Sequence, residues 1–155
     1  MDTLRLPDHG VKTKQDADGP RVWCPARRRW VALTPEEWVR QHFLNHLVHD
    51  LGCPLSLVAV EQGLSLHGLS KRADIVVYGR DGAPVALVEC KAPGVKLTQG
   101  VFDQAARYNI HFRVRWLLVT NGLLHYACEV AHAEGKVRFA KELPGYGGMA
   151  NDGPV

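Results

Sequence analysis

The chain has 155 residues, of which 46% are hydrophobic and 23% are charged, and its formal net charge is +3. This length fits one domain that buries a core without metal or disulfide support, and the composition excludes disorder, collagen and coiled coil as descriptions of the whole chain. No apolar run reaches the ~18 residues of a membrane-spanning helix, and Met1–Gly10 lacks the layout of a signal peptide. We therefore expect a cytoplasmic protein without a membrane partner, whose mild positive charge permits a nucleic-acid partner.

The pattern of the chain predicts a single domain with a polar segment at each end. Residues 1–20 lack periodicity and are expected to be a flexible lead-in, residues 21–145 are the domain, and residues 146–155 are a frayed tail. Its elements are predicted in this order: strands at 22–24 and 30–33, a helix at 34–51, a β-prone segment at 55–66, strands at 72–78 and 85–90, a helix at 98–109, and strands at 115–120 and 124–129. This order favours an α/β sandwich with a central mixed sheet flanked by helices.

The first predicted helix has a strong start signal and two glutamates in its first turn. Thr34 is the expected N-cap, and Glu37 completes a capping box with it. On a helical wheel Glu36 and Arg40 fall inside the apolar stripe, whereas Glu37 lies at its edge. A charged pair on the inward face suits the wall of a site, so we favour Glu36 over Glu37 as a site residue. The alternative is that both glutamates only interact favourably with the helix dipole.

A pair of carboxylates is predicted on the hairpin formed by the strands at 72–78 and 85–90. If the hairpin is symmetric about Asp81-Gly82, Asp74 lies opposite Glu89 and Tyr78 lies opposite Val85. Directly opposed residues have Cβ atoms about 4.5–5.5 Å apart, where two carboxylates repel each other. A cation between them would remove this repulsion, and carboxylate oxygens are ligands that suit Mg²⁺.

Two further positions join this pair. Lys91 follows Glu89 by two residues and therefore points to the same face of the strand. Glu61 lies on the preceding β-prone segment, but the sequence leaves its register against the hairpin open.

The residues Asp74 and Glu89-x-Lys91 together resemble the core motif of the PD-(D/E)xK nuclease superfamily, with Ala73 in place of the proline of that name. The resemblance implies that Asp74, Glu89 and the Cys90 carbonyl bind Mg²⁺, for which Mn²⁺ can substitute. It also implies that Lys91 positions or activates the attacking water, and that the first helix contributes a carboxylate.

A Gln-x-x-x-Tyr element at Gln104 and Tyr108 extends the resemblance. The element lies on the second predicted helix, where the i, i+4 spacing puts both side chains on one face. With the segments 34–41, 71–78, 88–93 and 119–122, the chain resembles the N-terminal nuclease domain of type I restriction enzyme R subunits over about residues 21–145. The resemblance implies a restriction-endonuclease-like sandwich that hydrolyses phosphodiester bonds of DNA in a Mg²⁺-dependent way.

Basic residues are candidates for nucleic-acid binding. Arg27, Arg28 and Arg29 form a short run between Trp23 and Trp30, and arginines beside aromatic rings suit phosphate contacts and base stacking. The other candidates are Arg72, Lys96 and Arg107. The alternative for the arginine run is a solvated hairpin turn.

The chain offers no room for a motor domain and contains no Gly-x-x-x-x-Gly-Lys phosphate loop, so we expect an endonuclease that acts without its own motor. One alternative is a non-catalytic nucleic-acid-binding module of a restriction or defence complex that works with a separate motor subunit. Another is a structure-specific DNA endonuclease of the resolvase kind, which acts as a homodimer. The residues do not distinguish DNA from RNA as the partner.

Overall fold

The computed structural model describes residues 1–66 and 68–150, with the side chains of residues 64–66, 69–71, 108 and 110–112 outside the description. A central sheet of six strands has the order β4-β5-β6-β7-β8-β9. Its strands are β4 (Val58–Leu66), β5 (Leu69–Tyr78), β6 (Pro84–Cys90), β7 (Trp116–Thr120), β8 (His125–Ala131) and β9 (Lys136–Ala140). The pair β6–β7 is parallel and the other neighbours are antiparallel, so the sheet is mixed as predicted.

One long helix packs on each face of this sheet. The helix α1 (Pro35–Asn45) continues into a π-helical turn (His46–Asp50), and α2 (Gln99–Phe112) connects the two parallel strands. On the first face Phe43 and Leu47 are buried in a cluster that includes Ile75 of β5. The other face has its own buried cluster, which includes Ala105 of α2 and Leu117 of β7. The layers are therefore helix, sheet and helix, which confirms the predicted sandwich.

A small antiparallel sheet precedes α1. It has the order β1-β2-β3, with β1 (Thr13–Asp16), β2 (Gly19–Cys24) and β3 (Arg29–Ala32). Within the predicted flexible lead-in at residues 1–20, β1 pairs with β2 through its backbone although its polar residues show no periodicity. Leu4 and Leu6 pack against the main core, and the Arg5 amide donates to the Gly122 carbonyl at 2.8 Å.

The C-terminal segment is also partly ordered. The predicted frayed tail begins with a short helix, α3 (Tyr146–Met149), in which Tyr146 and Met149 are buried against the main core. The Tyr146 hydroxyl donates to the Tyr78 carbonyl at 3.0 Å. Apolar burial therefore fixes residues whose glycine-rich neighbours indicated fraying. Within the described residues, no helix is long and apolar enough to cross a membrane.

The β5–β6 hairpin has the predicted register over most of its length. Ile75 pairs with Val88, and the next two pairs follow the same symmetry. The register then shifts at the turn, where Tyr78 pairs with Pro84 and not with Val85 as predicted. A β-bulge absorbs this extra residue, and it leaves unchanged the ladder that leads toward Asp74.

Candidate functional site

Asp74 lies near the end of the β5–β6 ladder and contacts the end of β6. Its Oδ2 accepts a hydrogen bond of 2.7 Å from the Cys90 amide, and its side chain is 14% exposed. The Cys90 thiol is buried, and this burial raises the pKa of Cys90 well above the ordinary value of a thiol. Cys90 is the middle residue of the Glu89-x-Lys91 motif. It therefore presents its backbone amide and carbonyl and a protonated thiol next to Asp74.

The centre of the charged cluster is Arg40, whose side chain is only 5% exposed. Four carboxylates lie within ion-pair distance of its guanidinium. They are Glu37 at 2.7 Å from Nη1, and Glu36 at 2.9 Å, Asp74 at 2.9 Å and Glu61 at 3.2 Å from Nη2. Acids from the helix α1 and from the strands β4 and β5 therefore all contact the guanidinium of Arg40.

Both carboxylate oxygens of Glu37 accept hydrogen bonds within this cluster. Both of its carboxylate oxygens accept from Arg27 Nη2 at 2.8 Å, and Gln41 Nε2 donates to Oε2 at 3.1 Å. The Glu37 amide donates to the Thr34 hydroxyl at 3.0 Å, so the N-cap half of the predicted capping box is confirmed. The Glu37 side chain, however, does not complete the box but joins Arg27 and Arg40.

Arg27, a candidate for nucleic-acid binding in the sequence, pairs with an acid inside the protein. The Arg27 side chain is 12% exposed and is used by Glu37, and its Nε also donates to the Cys24 sulfur at 3.3 Å. Burial lowers the pKa of Arg27, but the hydrogen bonds with Cys24 and Glu37 raise it by more, so the guanidinium stays charged. Arg27 therefore anchors the β2–β3 turn to α1 and is committed to an internal ion pair.

Glu36 has a different environment from Glu37. Its side chain is 47% exposed, and among the described side chains Arg40 contacts its Oε1 alone. Burial raises the pKa of Glu36, and the neighbouring Asp74 carboxylate raises it further, against the lowering effects of Arg40 and Lys91. The residue preferred from the helical wheel is thus the one whose carboxylate lies beside Asp74 and remains open to solvent.

Glu89, Lys91 and Gln104 line one small cavity of about 50 Å³, with Val101 and Ala105. The cavity lies between the end of β6 and α2, so Glu89 faces α2 whereas Asp74 contacts Arg40 of α1. The Lys91 amide donates to the Thr120 carbonyl at 2.8 Å, which holds the end of β6 against β7. The structure brings Gln104 to this motif, while the Tyr108 side chain lies outside the described residues.

The donor set of the predicted metal site fits a divalent cation chemically. Two carboxylates and a backbone carbonyl are oxygen donors of the kind that Mg²⁺ uses, with water completing its coordination. Asp74 and Glu36 both contact Arg40 Nη2, which places two carboxylates side by side at this position. Among the described side chains, no group of three or more histidines, cysteines or acids is arranged as a metal site. Asp74, Glu89 and the Cys90 carbonyl would therefore hold a metal that keeps several waters.

The other candidates for nucleic-acid binding differ in exposure and in ion pairing. Arg28 and Arg29 are exposed in the turn that Arg27 anchors, and Lys96 and Arg107 are exposed as well. Arg72 is exposed too, but it pairs with Glu61.

The aromatic residues beside the arginine run pack on each other. The Trp23 and Trp30 rings form an edge-to-face pair with centroids 5.6 Å apart, and Lys14 Nζ lies 4.5 Å from the centroid of Trp30. This packing connects all three strands of the small sheet next to the exposed Arg28 and Arg29.

The partners of Arg40 and Glu61 are not indicated by the sequence. The sequence marks Arg40 by its charge within an apolar stripe, and it leaves the register of Glu61 open. Glu61 lies opposite Asp74, because Val60 pairs with Ile75 and Gln62 pairs with Ala73. The backbone of Glu61 has φ of 56°, a left-handed conformation that no local pattern indicated.

Comparison with known proteins identifies the family of the chain. Residues 35–144 match the family model of the type I restriction enzyme R protein N terminus. A solved fragment of a putative HsdR subunit of a type I restriction enzyme from Vibrio vulnificus YJ016 has a similar fold, with a TM-score of 0.55 and 22% sequence identity. The similarity covers 77% of this chain and 25% of that one, so the chain spans about a quarter of its length. No curated protein matches the chain. Because the family model covers most of the chain, including Asp74 and Glu89-x-Lys91, the protein belongs to the family of type I restriction enzyme R protein N-terminal domains.

Proposed function

We propose that the chain is a metal-dependent endonuclease domain that hydrolyses phosphodiester bonds of DNA. The observation that carries this proposal is the hydrogen bond between Asp74 Oδ2 and the Cys90 amide, because it joins the first acid of the motif to the Glu89-x-Lys91 strand. Membership of the R protein N-terminal family supports it, since this family supplies the nuclease part of restriction enzymes. Asp74, Glu89 and the Cys90 carbonyl would hold Mg²⁺ or Mn²⁺.

The metal, when bound, supplies a Lewis acid for the scissile phosphate and lowers the pKa of a coordinated water. Lys91 orients the attacking water and offsets the negative charge that develops on the phosphate. Gln104 lines the same cavity and donates its amide to a phosphate oxygen. Tyr108, one helical turn later, is proposed for the same phosphate, and Glu36 accepts a proton or a hydrogen bond from water through its open oxygen.

Exposed basic residues complete the proposed DNA contacts. Arg28 and Arg29 extend from the turn that Arg27 fastens to α1, and Arg72, Lys96 and Arg107 are the further candidates. Phosphate contacts from such side chains orient the duplex without reading its sequence.

The test is cleavage of supercoiled, linear and single-stranded DNA by the purified protein with Mg²⁺ or Mn²⁺. We expect Asp74→Asn and Lys91→Ala to lower the cleavage rate by about 10²–10³-fold, because each removes a group that acts on the reacting phosphate. Lys136→Ala, on the exposed strand β9, is the matched control and should cleave as the wild type does. Retained cleavage in both site variants would refute the mechanism.

A second candidate is a nucleic-acid-binding module that depends on a separate motor subunit. The observation that favours it is the exposure of Arg28 and Arg29, which suits phosphate contacts that need no catalysis. DNA binding without cleavage of any DNA form, or of RNA, would support this candidate. A dimer in light scattering together with cleavage of branched DNA alone would instead support a resolvase-like enzyme.

A further inference from the structure

The buried guanidinium of Arg40 has more charged partners than an ordinary helix ion pair. Its Nη2 contacts Asp74 and Glu36, the two acids that border the proposed site, and also Glu61 from β4. A planar guanidinium with fixed donor directions can hold several carboxylates at a set spacing, which the ammonium of a lysine cannot do.

Asp74 is held from two sides by this arrangement. Arg40 donates to Oδ1 at 2.9 Å, and the Cys90 amide donates to Oδ2 at 2.7 Å. With one donor on each oxygen, the carboxylate plane has no freedom to rotate. Each oxygen keeps a second lone pair for another partner.

The Arg40 guanidinium is itself held in position by two other acids, Glu37 and Glu61. Glu37 accepts a hydrogen bond from Arg40 Nη1, and Arg27 and Gln41 in turn donate to Glu37. These contacts oppose a movement of the Arg40 guanidinium along α1. On the sheet side Glu61 adopts a left-handed backbone conformation, which is costly for a glutamate. Strain of this kind persists where surrounding contacts over-determine it, and the contacts of Glu61 with Arg40 and Arg72 supply them.

We propose that Arg40 is a positioning residue that sets the orientation of Asp74 and the distance between Asp74 and Glu36. The role of the oriented Asp74 as a metal ligand rests on the proposed function, whereas the orientation itself is a property of the folded chain. Arg40 acts through these carboxylates, and Glu37 and Glu61 keep it in place.

The test compares amide hydrogen exchange in the wild type and in Arg40→Lys, without added metal. The Cys90 amide reports the Asp74 contact, and the Lys91 amide, which donates to Thr120, reports the adjacent backbone pairing. We expect Cys90 exchange to accelerate by at least about tenfold while Lys91 exchange stays within about twofold. Arg115→Lys, which alters the ion pair with Glu129 on β8, is the control and should leave the Cys90 amide unchanged.

Two outcomes of the exchange experiment would overturn the inference. Unchanged Cys90 exchange would mean that Arg40 does not orient Asp74. Equal acceleration at Cys90 and Lys91 would mean that Arg40 only contributes general stability. If Arg40→Lys does not fold, Glu37→Gln, which removes part of the brace behind Arg40, takes its place with the same two criteria.

A second measurement separates this inference from the proposed function. We expect Arg40→Lys to weaken Mn²⁺ binding, measured by calorimetry, by about 10–100-fold, as loss of a residue that orients a ligand does. In cleavage assays kcat should fall while KM for DNA stays close to that of the wild type. If the wild type binds no Mn²⁺ and cuts no DNA, the proposed function fails, and the exchange experiment still decides the role of Arg40.

Discussion

Glu36 and Glu37 are adjacent in the chain but have opposite environments. Glu37 is buried and shares its oxygens among Arg27, Arg40 and Gln41, whereas Glu36 keeps one oxygen open beside Asp74. Successive helix residues point about 100° apart, so one faces the small sheet and the other faces the site. The preference for Glu36 rests on the apolar stripe in the sequence, and in the structure the difference arises because Glu37 pairs with both Arg27 and Arg40.

His42 shows how a single buried group makes stability depend on pH. Its ring packs edge-on against Trp38, with centroids 4.2 Å apart, and within the described residues neither ring nitrogen has a hydrogen-bond partner. Burial lowers the pKa of His42 below the ordinary value of 6.5. The unfolded chain therefore takes up a proton at a higher pH than the folded chain does. The resulting stabilisation is complete above about pH 6.5 and is lost as pH falls through the lower folded pKa.

We predict that His42→Phe flattens the acid side of the stability curve. The melting temperature of the wild type should fall as pH decreases from about 7 to 5, and the variant should lose less of it over this interval. Differential scanning calorimetry at several pH values measures the effect. His49→Gln, at an exposed position of the π-helical turn, is the control. Parallel curves for His42→Phe and the wild type would contradict the role of His42 in the pH dependence of stability. His125, whose pKa is also lowered by burial, contributes to the pH dependence that remains in the variant.

At the scale of elements, local signals located the ends of α1 and α2 with unequal success. Thr34 caps α1 as expected. The helix α2 extends beyond its predicted end at Asn109 to Phe112, because the Asn109 side chain accepts from the Val114 amide and donates to the Val114 carbonyl. These bonds satisfy backbone groups of the turn that follows the helix, and the predicted end at residue 109 was early by about one turn.

The C-cap of α2 provides a prediction about stability. Arg113 closes this helix with φ of 56° and ψ of 41°, where a Cβ atom is strained and glycine is preferred. Arg113→Gly should stabilise the protein by about 0.5–1 kcal/mol in denaturant unfolding, since the relief of strain exceeds the added entropy of the unfolded chain. Arg113→Ala removes the same side chain but keeps the Cβ atom, so it should give no gain. Equal stability of the two variants would show that the strain is negligible.

For the whole molecule, the distribution of charge matters more than its sum. The net charge is +3, yet the acids nearest the proposed site are largely compensated by the buried Arg27 and Arg40 inside the cluster. Arginines used in this way are unavailable to phosphates. The basic residues that face solvent, Arg28 and Arg29 among them, therefore carry the electrostatic attraction to a polyanion.

This distribution predicts the salt dependence of DNA binding. If Arg28 and Arg29 each contact one phosphate of duplex DNA, replacing each by serine should reduce the slope of log K against log salt concentration by about 0.9. Fluorescence anisotropy with labelled DNA at several salt concentrations measures this slope. Lys136→Ser, on β9, should leave the slope unaltered. An unchanged slope in the arginine variants would remove this turn from the DNA interface.

The features determined by the sequence alone are those set by neighbouring residues. The Asp81-Gly82 turn and the alternation beside it predicted the pairing of Ile75 with Val88, and hence the approach of Asp74 to the end of β6. The Gln-x-x-x-Tyr element similarly named Gln104 as a candidate, and Gln104 lines a cavity with Glu89 and Lys91. Backbone periodicity and turn chemistry act over a few residues, so they can be read without knowledge of the packed layers.

Only the tertiary structure decided which charges pair. Arg27 with Glu37, Arg40 with Asp74 and Arg40 with Glu61 each join elements that the chain order leaves independent. A buried charge must find its partner wherever the packed layers bring one, because leaving it alone would cost several kcal/mol. The same packing covered the N-terminal leucines and Tyr146 and placed Glu61 opposite Asp74. The sequence therefore named the acids and the lysine of the proposed site, and the packing of α1 against the sheet determined how Asp74 is held.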